Sequence, residues 1–151
     1  MRRIVVFGTT GSGKSWLAER LAAERGLHLV ELDALFWGPE WQPAPLDLFR
    51  HRVDCETRDD GWVAVGIYGQ VRDIVWQRAD TLVWLDLPLV TWRLLTRTIR
   101  RIATREDLWG TGNRETFTRT FFSRTVIRLR SARDIERFVA GRADLSQALA
   151  A

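Results

Sequence analysis

Short apolar runs alternate along the chain with longer segments in which apolar residues recur at helical spacing. The first run, residues 3–7, is continuous, rich in β-branched side chains and followed by Gly8. Such a run is typical of a strand that is buried on both faces of a parallel sheet. Four further runs are predicted to form strands, at residues 27–32, 62–65, 81–86 and 126–129.

The segments between these runs predict helices. In the first of them, Leu17, Ala18 and Leu21 share one face at helical spacing. Further helices are predicted at residues 46–58, 70–79, 88–104, 115–122 and 132–140. Glycine and proline punctuate residues 34–45, which are predicted to form a loop, and residues 105–114 predict a second, polar loop. Strands and helices in alternation indicate an α/β fold with a parallel sheet.

Length and composition agree with one compact domain. At 151 residues the chain is near the commonest domain size, so we predict a single domain over residues 1–151. Its one cysteine, Cys55, excludes an internal disulfide and fits a reducing compartment, which predicts a cytoplasmic protein. No apolar stretch approaches the roughly 20 residues of a membrane span. The net charge of +4 is compatible with an anionic small molecule and is weak evidence for nucleic acid.

A phosphate-binding signature lies between the first predicted strand and the first predicted helix. The sequence Gly8-Thr9-Thr10-Gly11-Ser12-Gly13-Lys14-Ser15 is a full match to the pattern G-x-x-x-x-G-K-[ST]. In such a loop, backbone N–H groups and the positive end of the following helix surround nucleotide phosphates. We therefore predict that this segment binds ATP.

Two side chains of this loop have predicted roles of their own. Lys14 is the only lysine among 23 lysine and arginine residues, which indicates that a compact ammonium on a flexible stem is required there. It is predicted to bridge the β- and γ-phosphates and to act in catalysis, and Ser15 is predicted to hold Mg²⁺ through its hydroxyl. A turn rich in glycine and serine that merely fits the pattern is the alternative.

Two carboxylates follow predicted strands, at the edge of the sheet where ligands of such folds bind. Asp33, directly after the second strand, is predicted to orient or deprotonate an acceptor hydroxyl, or to hold the water shell of the metal. Its alternative role is to cap the following turn. Asp86, at the end of the fourth strand, is predicted either to lie beside the metal or to cap a helix.

Arginines concentrate after the fourth strand. Arg93, Arg97, Arg101 and Arg105 are four residues apart, so on a helix they form one stripe. Arg97 and Arg101 are predicted to neutralise charge on a transferring phosphoryl group. The alternatives are a solvated basic face and a contact with nucleic acid.

The aromatic residues fall into two groups, one predicted to lie in the core and one predicted to lie near a binding site or to close a loop. Tryptophans on or beside strands are predicted to be buried: Trp62, Trp76 and Trp84. Phe36, Trp37 and Trp41 lie instead in the predicted loop after Asp33. They form either a stacking wall for a flat substrate or a hydrophobic plug for the loop itself.

Four segments carry a family resemblance: GTTGSGKS, ELDALFWGPEW, VGIYGQVRDIVWQRADTLVWLDLP, and the stretch from RTIRR to LWGTGNRETF. Over most of the chain they resemble the adenylate-kinase-related P-loop proteins known as DNA topology modulation proteins. The resemblance implies a three-layer P-loop kinase fold, in which five parallel strands have the order 2-3-1-4-5 and helices cover both faces of the sheet.

The same resemblance implies where substrates bind. An acceptor site would lie near Asp33, Trp37 and Arg72, with a substrate-binding insert at about residues 34–60. A lid at about residues 101–122 would close over the phosphates.

The base of ATP and the metal are placed by similarity as well. Ser131 would border the adenine. The related proteins carry an Asp-Gly pair where this chain has Val65-Gly66, and that aspartate positions Mg²⁺ through its water shell. Asp33 or Asp86 therefore takes over the metal here, or turnover is slow. The lid segment is also shorter than in those proteins.

These observations lead to three hypotheses of function. The first is a kinase that transfers the γ-phosphoryl group of Mg-ATP to a small-molecule acceptor, a nucleoside or a nucleotide. The second is a nucleotide-binding regulatory protein with little kinase activity, which contacts DNA through its arginines. The third is an ATPase that is coupled to a partner.

Overall fold

The computed structural model describes residues 1–87 and 125–141. Within these ranges five strands form one sheet, and every neighbouring pair is parallel. The strands are β1 (Arg3–Gly8), β2 (His28–Glu31), β3 (Trp62–Val65), β4 (Thr81–Leu85) and β5 (Thr125–Leu129). Their order across the sheet, β2-β3-β1-β4-β5, confirms the expected 2-3-1-4-5 arrangement.

Helices cover both faces of this sheet. In the described ranges they are α1 (Lys14–Arg25), α2 (Leu32–Phe36), α3 (Leu46–Glu56), α4 (Arg72–Arg78) and α5 (Ala132–Val139). Short 3₁₀ turns at Pro39–Trp41 and Gly69–Val71 precede α3 and α4. None of the helices in this part of the chain has the length and hydrophobicity that crossing a membrane requires.

The side chains of β1 enter two separate cores. Ile4 and Val6 pack with residues of α1 and α5, whereas Val5 and Phe7 pack on the opposite face with residues of α2, α3 and α4. All four side chains are buried, as expected of a central strand that is covered on both faces. The structure therefore confirms the three-layer α/β fold.

The predicted burial of the strand tryptophans is confirmed for Trp62 and Trp76, but Trp84 is only partly buried. Trp62 and Trp76 are buried in the core that contains Phe7. Trp84 is half-buried, and its ring stacks on that of Phe7 with the centroids 6.3 Å apart.

The loop predicted over residues 34–45 is wrong at its start, because Leu32–Phe36 form α2. Asp33 therefore lies in the first turn of a helix and not in a loop after the strand. Leu32 and Phe36 are four residues apart and pack against the same core, which explains why a helix forms here.

Asp80 joins the start of β1 to the start of β4. Its carboxylate accepts hydrogen bonds from the backbone N–H groups of Arg2 and Arg3, at 2.8 and 3.0 Å, and from the Thr81 hydroxyl at 2.7 Å. Partial burial raises the pKa of Asp80, but these donors outweigh the burial, and the pKa lies below its ordinary value. The ionised carboxylate therefore stabilises the folded state.

We expect Asp80→Ala to lower the free energy of unfolding at neutral pH by roughly 1–3 kcal/mol, because two backbone donors lose a charged acceptor. Since the folded-state pKa is depressed, this stabilisation is present above the unfolded pKa of about 3.9 and is lost as pH falls through the folded pKa. Urea denaturation at neutral and acidic pH measures both effects. Asp60→Ala is the control, because the Asp60 carboxylate is exposed and forms a long ion pair, 3.6 Å, with Arg3, and such a pair contributes little to stability. Equal losses in the two variants would contradict the role of Asp80.

Candidate functional site

The loop between β1 and α1 begins at Gly8, which lies in close contact with the end of β4. A Cβ atom on Gly8 would lie 2.5 Å from the backbone carbonyl oxygen of Leu85, at the end of β4. Any side chain at this position would push β1 and β4 apart, so the loop requires glycine here. The loop therefore begins at the carboxyl edge of the sheet, beside the end of β4.

The N-terminus of α1 has the features of an anion-binding site. Its N-cap is Gly13, with φ at 87°, in the left-handed region that favours glycine. Among the residues that the structure describes, none would lie within 4 Å of a Cβ atom there, so residues 1–87 and 125–141 leave the space around the cap open. The first helical turn contains no acidic residue, and the positive end of the helix is not neutralised from within.

A buried hydroxyl lies in the same loop. Ser12 is 6% exposed, and its Oγ has no hydrogen-bond partner among the residues that the structure describes. A buried hydroxyl in that state costs about 1–3 kcal/mol. A phosphate oxygen is an acceptor of the kind this hydroxyl lacks, so the loop fits a phosphate group.

Lys14 lies over its own loop. Its Nζ donates a hydrogen bond of 2.8 Å to the carbonyl oxygen of Thr9. The next residue, Ser15, is exposed. The structure thus places Lys14 and Ser15 at the start of α1, and their predicted binding of phosphate and Mg²⁺ stays a prediction.

Asp33 lies two residues beyond β2, two strands away from the phosphate loop. The hydroxyl of Tyr68, three residues beyond β3, donates a hydrogen bond of 2.7 Å to Asp33 Oδ1. Because β2 and β3 are parallel neighbours, their carboxyl ends bring these two residues together although they are 35 positions apart. Asp33 is exposed at this edge and accessible to a substrate.

The aromatic residues near Asp33 divide into a packed part and an exposed part. Phe36 packs against Phe49 and Tyr68, with ring centroids 5.1 and 4.8 Å away. Trp37 meets Phe36 edge-on at 4.9 Å and Trp41 at 6.2 Å. Trp41 is 64% exposed. Phe36 therefore plugs the segment against the core, whereas Trp41 presents an aromatic face to solvent.

The backbone that carries Trp41 is strained. Glu40 and Trp41 have φ values of 56° and 59°, in the left-handed region that residues with side chains rarely adopt. An antiparallel bridge between Trp37 and Pro43 closes the segment around them. Such strain costs of order 1–3 kcal/mol per residue and concentrates at ligand-binding segments.

Comparison with solved structures finds the same architecture at low sequence identity. A sugar kinase from Janibacter sp. HTCC2649 matches with a TM-score of 0.52 and 17% identity, and the match covers 99% of this chain and 96% of that one. A gluconokinase from Sinorhizobium meliloti 1021 matches with a TM-score of 0.53 and 21% identity, over 92% of this chain and 87% of that one. The fold is that of the P-loop kinases.

A shikimate kinase from Bacteroides thetaiotaomicron shares the P-loop kinase fold as well. Its TM-score is 0.51 at 18% identity, over 92% of this chain and 94% of that one. No family model matches the chain, and no curated protein matches it. The resemblance to the topology modulation proteins therefore stays a prediction.

Within this P-loop kinase fold, Asp86 ties β4 to β5. Arg128 donates to the Asp86 carboxylate through Nε at 2.9 Å and through a terminal nitrogen, and its guanidinium lies 4.4 Å from the ring centroid of Trp84. The N–H of Asp86 also donates to the Leu129 carbonyl oxygen at 3.0 Å. The carboxylate thus forms an ion pair within the sheet, and its role beside a metal stays a prediction.

Ser131 is the N-cap of α5. Its hydroxyl accepts a hydrogen bond of 3.2 Å from the N–H of Asp134, whose carboxylate accepts one of 3.1 Å from the N–H of Arg130. The Ser131 hydroxyl is the main reason that the pKa of Asp134 lies below its ordinary value. Ser131 is exposed, and its predicted contact with adenine is untested.

Arg72 begins α4, and its guanidinium lies 4.9 Å from the ring centroid of Trp76. Arg50 of α3 holds the same helix by donating a hydrogen bond of 2.6 Å to Asp73. This hydrogen bond is the main cause of a lowered pKa of Asp73. The two predicted acceptor residues lie on different helices, Asp33 on α2 and Arg72 on α4. Both helices pack against α3.

Val65, where the resembling family carries aspartate, is buried in the core that contains α1. Within residues 1–87 and 125–141, no three His, Cys, Asp or Glu side chains form a group that could hold a metal ion. Mg²⁺ in nucleotide sites takes one or two protein ligands and completes its shell with phosphates and water. The exposed hydroxyl of Ser15 fits that kind of partial ligation.

Several predictions fall on residues outside the described ranges. They concern Arg97, Arg101, the helix over residues 88–104 and the lid. Sequence reasoning assigned no role to Tyr68, which the structure places on Asp33. The signal that could have found it is its position just past β3, at the edge of the sheet where Asp33 lies.

Proposed function

We propose that the protein is an ATP-dependent kinase that transfers a phosphoryl group to a hydroxyl of a small molecule, a nucleoside or a nucleotide. The loop between β1 and α1 carries the proposal. It combines a full phosphate-binding signature with two features seen among the described residues: a helix N-terminus that they leave open and an unpartnered buried hydroxyl on Ser12. The P-loop kinase fold, shared with a sugar kinase and a gluconokinase, supports the same class of reaction.

The residues of the loop would bind the triphosphate and neutralise its charge. Lys14 would exchange the neutral carbonyl oxygen of Thr9 for charged phosphate oxygens, which form stronger hydrogen bonds with an ammonium. Mg²⁺, held through Ser15, supplies further positive charge to the phosphates when it is bound. Arg97 and Arg101 would stabilise the transferring group. Catalysis of this kind depends mainly on positioning and charge neutralisation.

Asp33 would act on the acceptor. Its carboxylate would orient the attacking hydroxyl and accept its proton while the hydroxyl oxygen bonds to the γ-phosphorus and ADP leaves. Arg72 would hold any phosphate that the acceptor carries. Trp37 and Trp41 would contact a flat part of the acceptor, such as a nucleobase.

A panel of nucleosides, nucleotides and small hydroxy acids with Mg-ATP tests the proposal. ADP is measured with and without each compound, and at least one compound is expected to increase ADP formation and to become phosphorylated. ADP formation at one rate, whatever compound is present, would instead identify an ATPase. Binding of ATP with no product from any compound would favour the second function below.

A second candidate function is a nucleotide-binding regulatory protein with little kinase activity. The burial of Val65 in the core favours it, because no carboxylate stands at that position to hold the water shell of Mg²⁺. This function predicts ATP binding without a phosphorylated product. If the regulator also contacts DNA through its arginines, the affinity for DNA will fall steeply with salt.

We expect Trp41→Ala to raise the KM for the acceptor by about 5-fold to 150-fold, because stacking on an aromatic side chain contributes about 1–3 kcal/mol per base. The KM for ATP should not change. Alanine and tryptophan are equally strained at φ 59°, so the backbone strain does not differ between the two proteins. Steady-state kinetics with the best acceptor measure the effect. Trp41→Phe, which keeps an aromatic face, is the control, and an equal rise of KM in both variants would contradict the stacking role.

A further inference from the structure

The hydrogen bond between Tyr68 and Asp33 has no counterpart in the sequence motifs. We infer that Tyr68 is a positioning residue, which holds the Asp33 carboxylate in the orientation needed to receive the acceptor hydroxyl. The inference rests on the proposed kinase function and on the role that it gives to Asp33. It adds a second strand end, that of β3, to the acceptor site.

The bond itself determines how Asp33 can turn. The Tyr68 hydroxyl donates to Oδ1 at 2.7 Å, a normal length for a hydroxyl and a carboxylate. A carboxylate on an exposed aspartate otherwise rotates freely about its last bond. With Oδ1 engaged by Tyr68, Oδ2 is the oxygen that would take the proton of the acceptor.

The tyrosine ring is itself fixed by packing. Its centroid lies 4.8 Å from that of Phe36 and 5.3 Å from that of Phe49. Phe49 is fully buried in the core beneath α3. The phenol therefore projects from a rigid aromatic base, as expected of a group that orients another.

The backbone brings the two segments together as well. Gly66, the first residue after β3, has φ at 122°, and a Cβ atom there would lie 3.2 Å from Cβ of Leu32. The absence of a side chain at Gly66 lets the segment that leads to Tyr68 pass directly against the start of α2. Asp33 follows Leu32, so this close approach brings the donor within reach of the carboxylate.

Kinetics of Tyr68→Phe test the inference, because phenylalanine keeps the ring and loses only the hydroxyl. We expect kcat to fall about tenfold with an unchanged KM for ATP, since misplacing a catalytic group slows the step that it serves. The thermal midpoint should fall by a few degrees at most, since one hydrogen bond makes only a modest net contribution to stability. Tyr68→Leu also removes the aromatic ring that packs against Phe36 and Phe49. This variant is expected to lose stability, and it measures how large the effect of a packing defect is.

A double-mutant cycle separates an effect through Asp33 from an independent one. If Tyr68 acts through Asp33, Asp33→Asn combined with Tyr68→Phe should have the same kcat as Asp33→Asn alone. Losses that multiply in the double variant would overturn the inference. So would a Tyr68→Phe variant that loses kcat and, at the same time, as much thermal stability as Tyr68→Leu.

The chain contains one tyrosine, so protein made with isotope-labelled tyrosine gives one NMR signal for the phenol carbon. We expect Asp33→Asn to shift this signal and Glu31→Gln to leave it in place. If the chemical shift of this carbon is the same in Asp33→Asn as in the wild type, the inference is overturned, whatever the activity of the variant. Wild-type kinetics in Tyr68→Phe overturn it while the kinase function stands, and a wild-type protein that phosphorylates no acceptor overturns both.

Discussion

Replacing Lys14 by alanine is expected to lower kcat/KM for ATP about a hundredfold to a thousandfold, the usual loss when one preorganised donor to a developing charge is removed. In the folded chain this ammonium lies over the proposed phosphate loop, on the Thr9 carbonyl oxygen, at the N-terminus of α1. No other lysine is present to replace it. Initial rates of acceptor phosphorylation over a range of ATP concentrations measure the loss.

Two further variants identify what the ammonium supplies. Lys14→Arg keeps the charge but replaces a compact point charge by a planar fork, so we expect it to restore little activity. Arg20→Ala is the matched control, because Arg20 is an exposed cation on the same helix that pairs with Glu24 at 2.8 Å. Arg20→Ala should have wild-type kinetics. A Lys14→Ala enzyme that phosphorylates its acceptor at the wild-type rate would refute the proposed function.

Asp33→Asn is expected to lower kcat by a factor of about 10²–10⁴, the range that a positioned general base supplies. The affinity for ATP should not change, because Asp33 lies two strands away from the phosphate loop. Asparagine has nearly the same shape and can still meet the Tyr68 hydroxyl, so the substitution removes the proton acceptor and leaves the fold in place. Single-turnover rates and calorimetric titration with ATP measure the two quantities.

Glu31→Gln is the matched control for this substitution. Glu31 is an exposed carboxylate at the end of β2, two positions before Asp33. It should tolerate the same change of acid to amide without a loss of kcat. Equal losses in both variants would indicate a general effect of charge, and an Asp33→Asn enzyme with normal kcat would exclude Asp33 as the base.

The place of the glycine-rich loop between β1 and α1 and the order of the sheet were predicted correctly for different reasons. The signature over residues 8–15 is local, and its glycines are required by contacts and φ values that the sequence pattern already encodes. The strand β1 was recognisable because residues 4–7 are buried on both faces and are all apolar. The order 2-3-1-4-5 came from the family resemblance, since apolar runs do not state which strands are neighbours.

The side of the sheet proposed to bind the acceptor was less predictable, because contacts between distant residues build it. The glycines and prolines of residues 34–45 predict a loop there. In the structure Asp33 lies instead in a helix, because Leu32 and Phe36 pack on the core. Neither the plug role of Phe36 nor the exposure of Trp41 could be read from the sequence. Both depend on where Tyr68 and Phe49 lie after folding.

The two cores lie on opposite sides of β1, and each supports a different part of the proposed site. The proposed phosphate loop leads into α1, which packs on one core, while α2, α3 and α4, which carry and support the proposed acceptor residues, pack on the other. The sheet separates these two cores, so substitutions in one helical layer need not disturb the other. For the proposed kinase we therefore expect that a directed-evolution experiment restricted to α2–α4 can change the acceptor without changing the affinity for ATP.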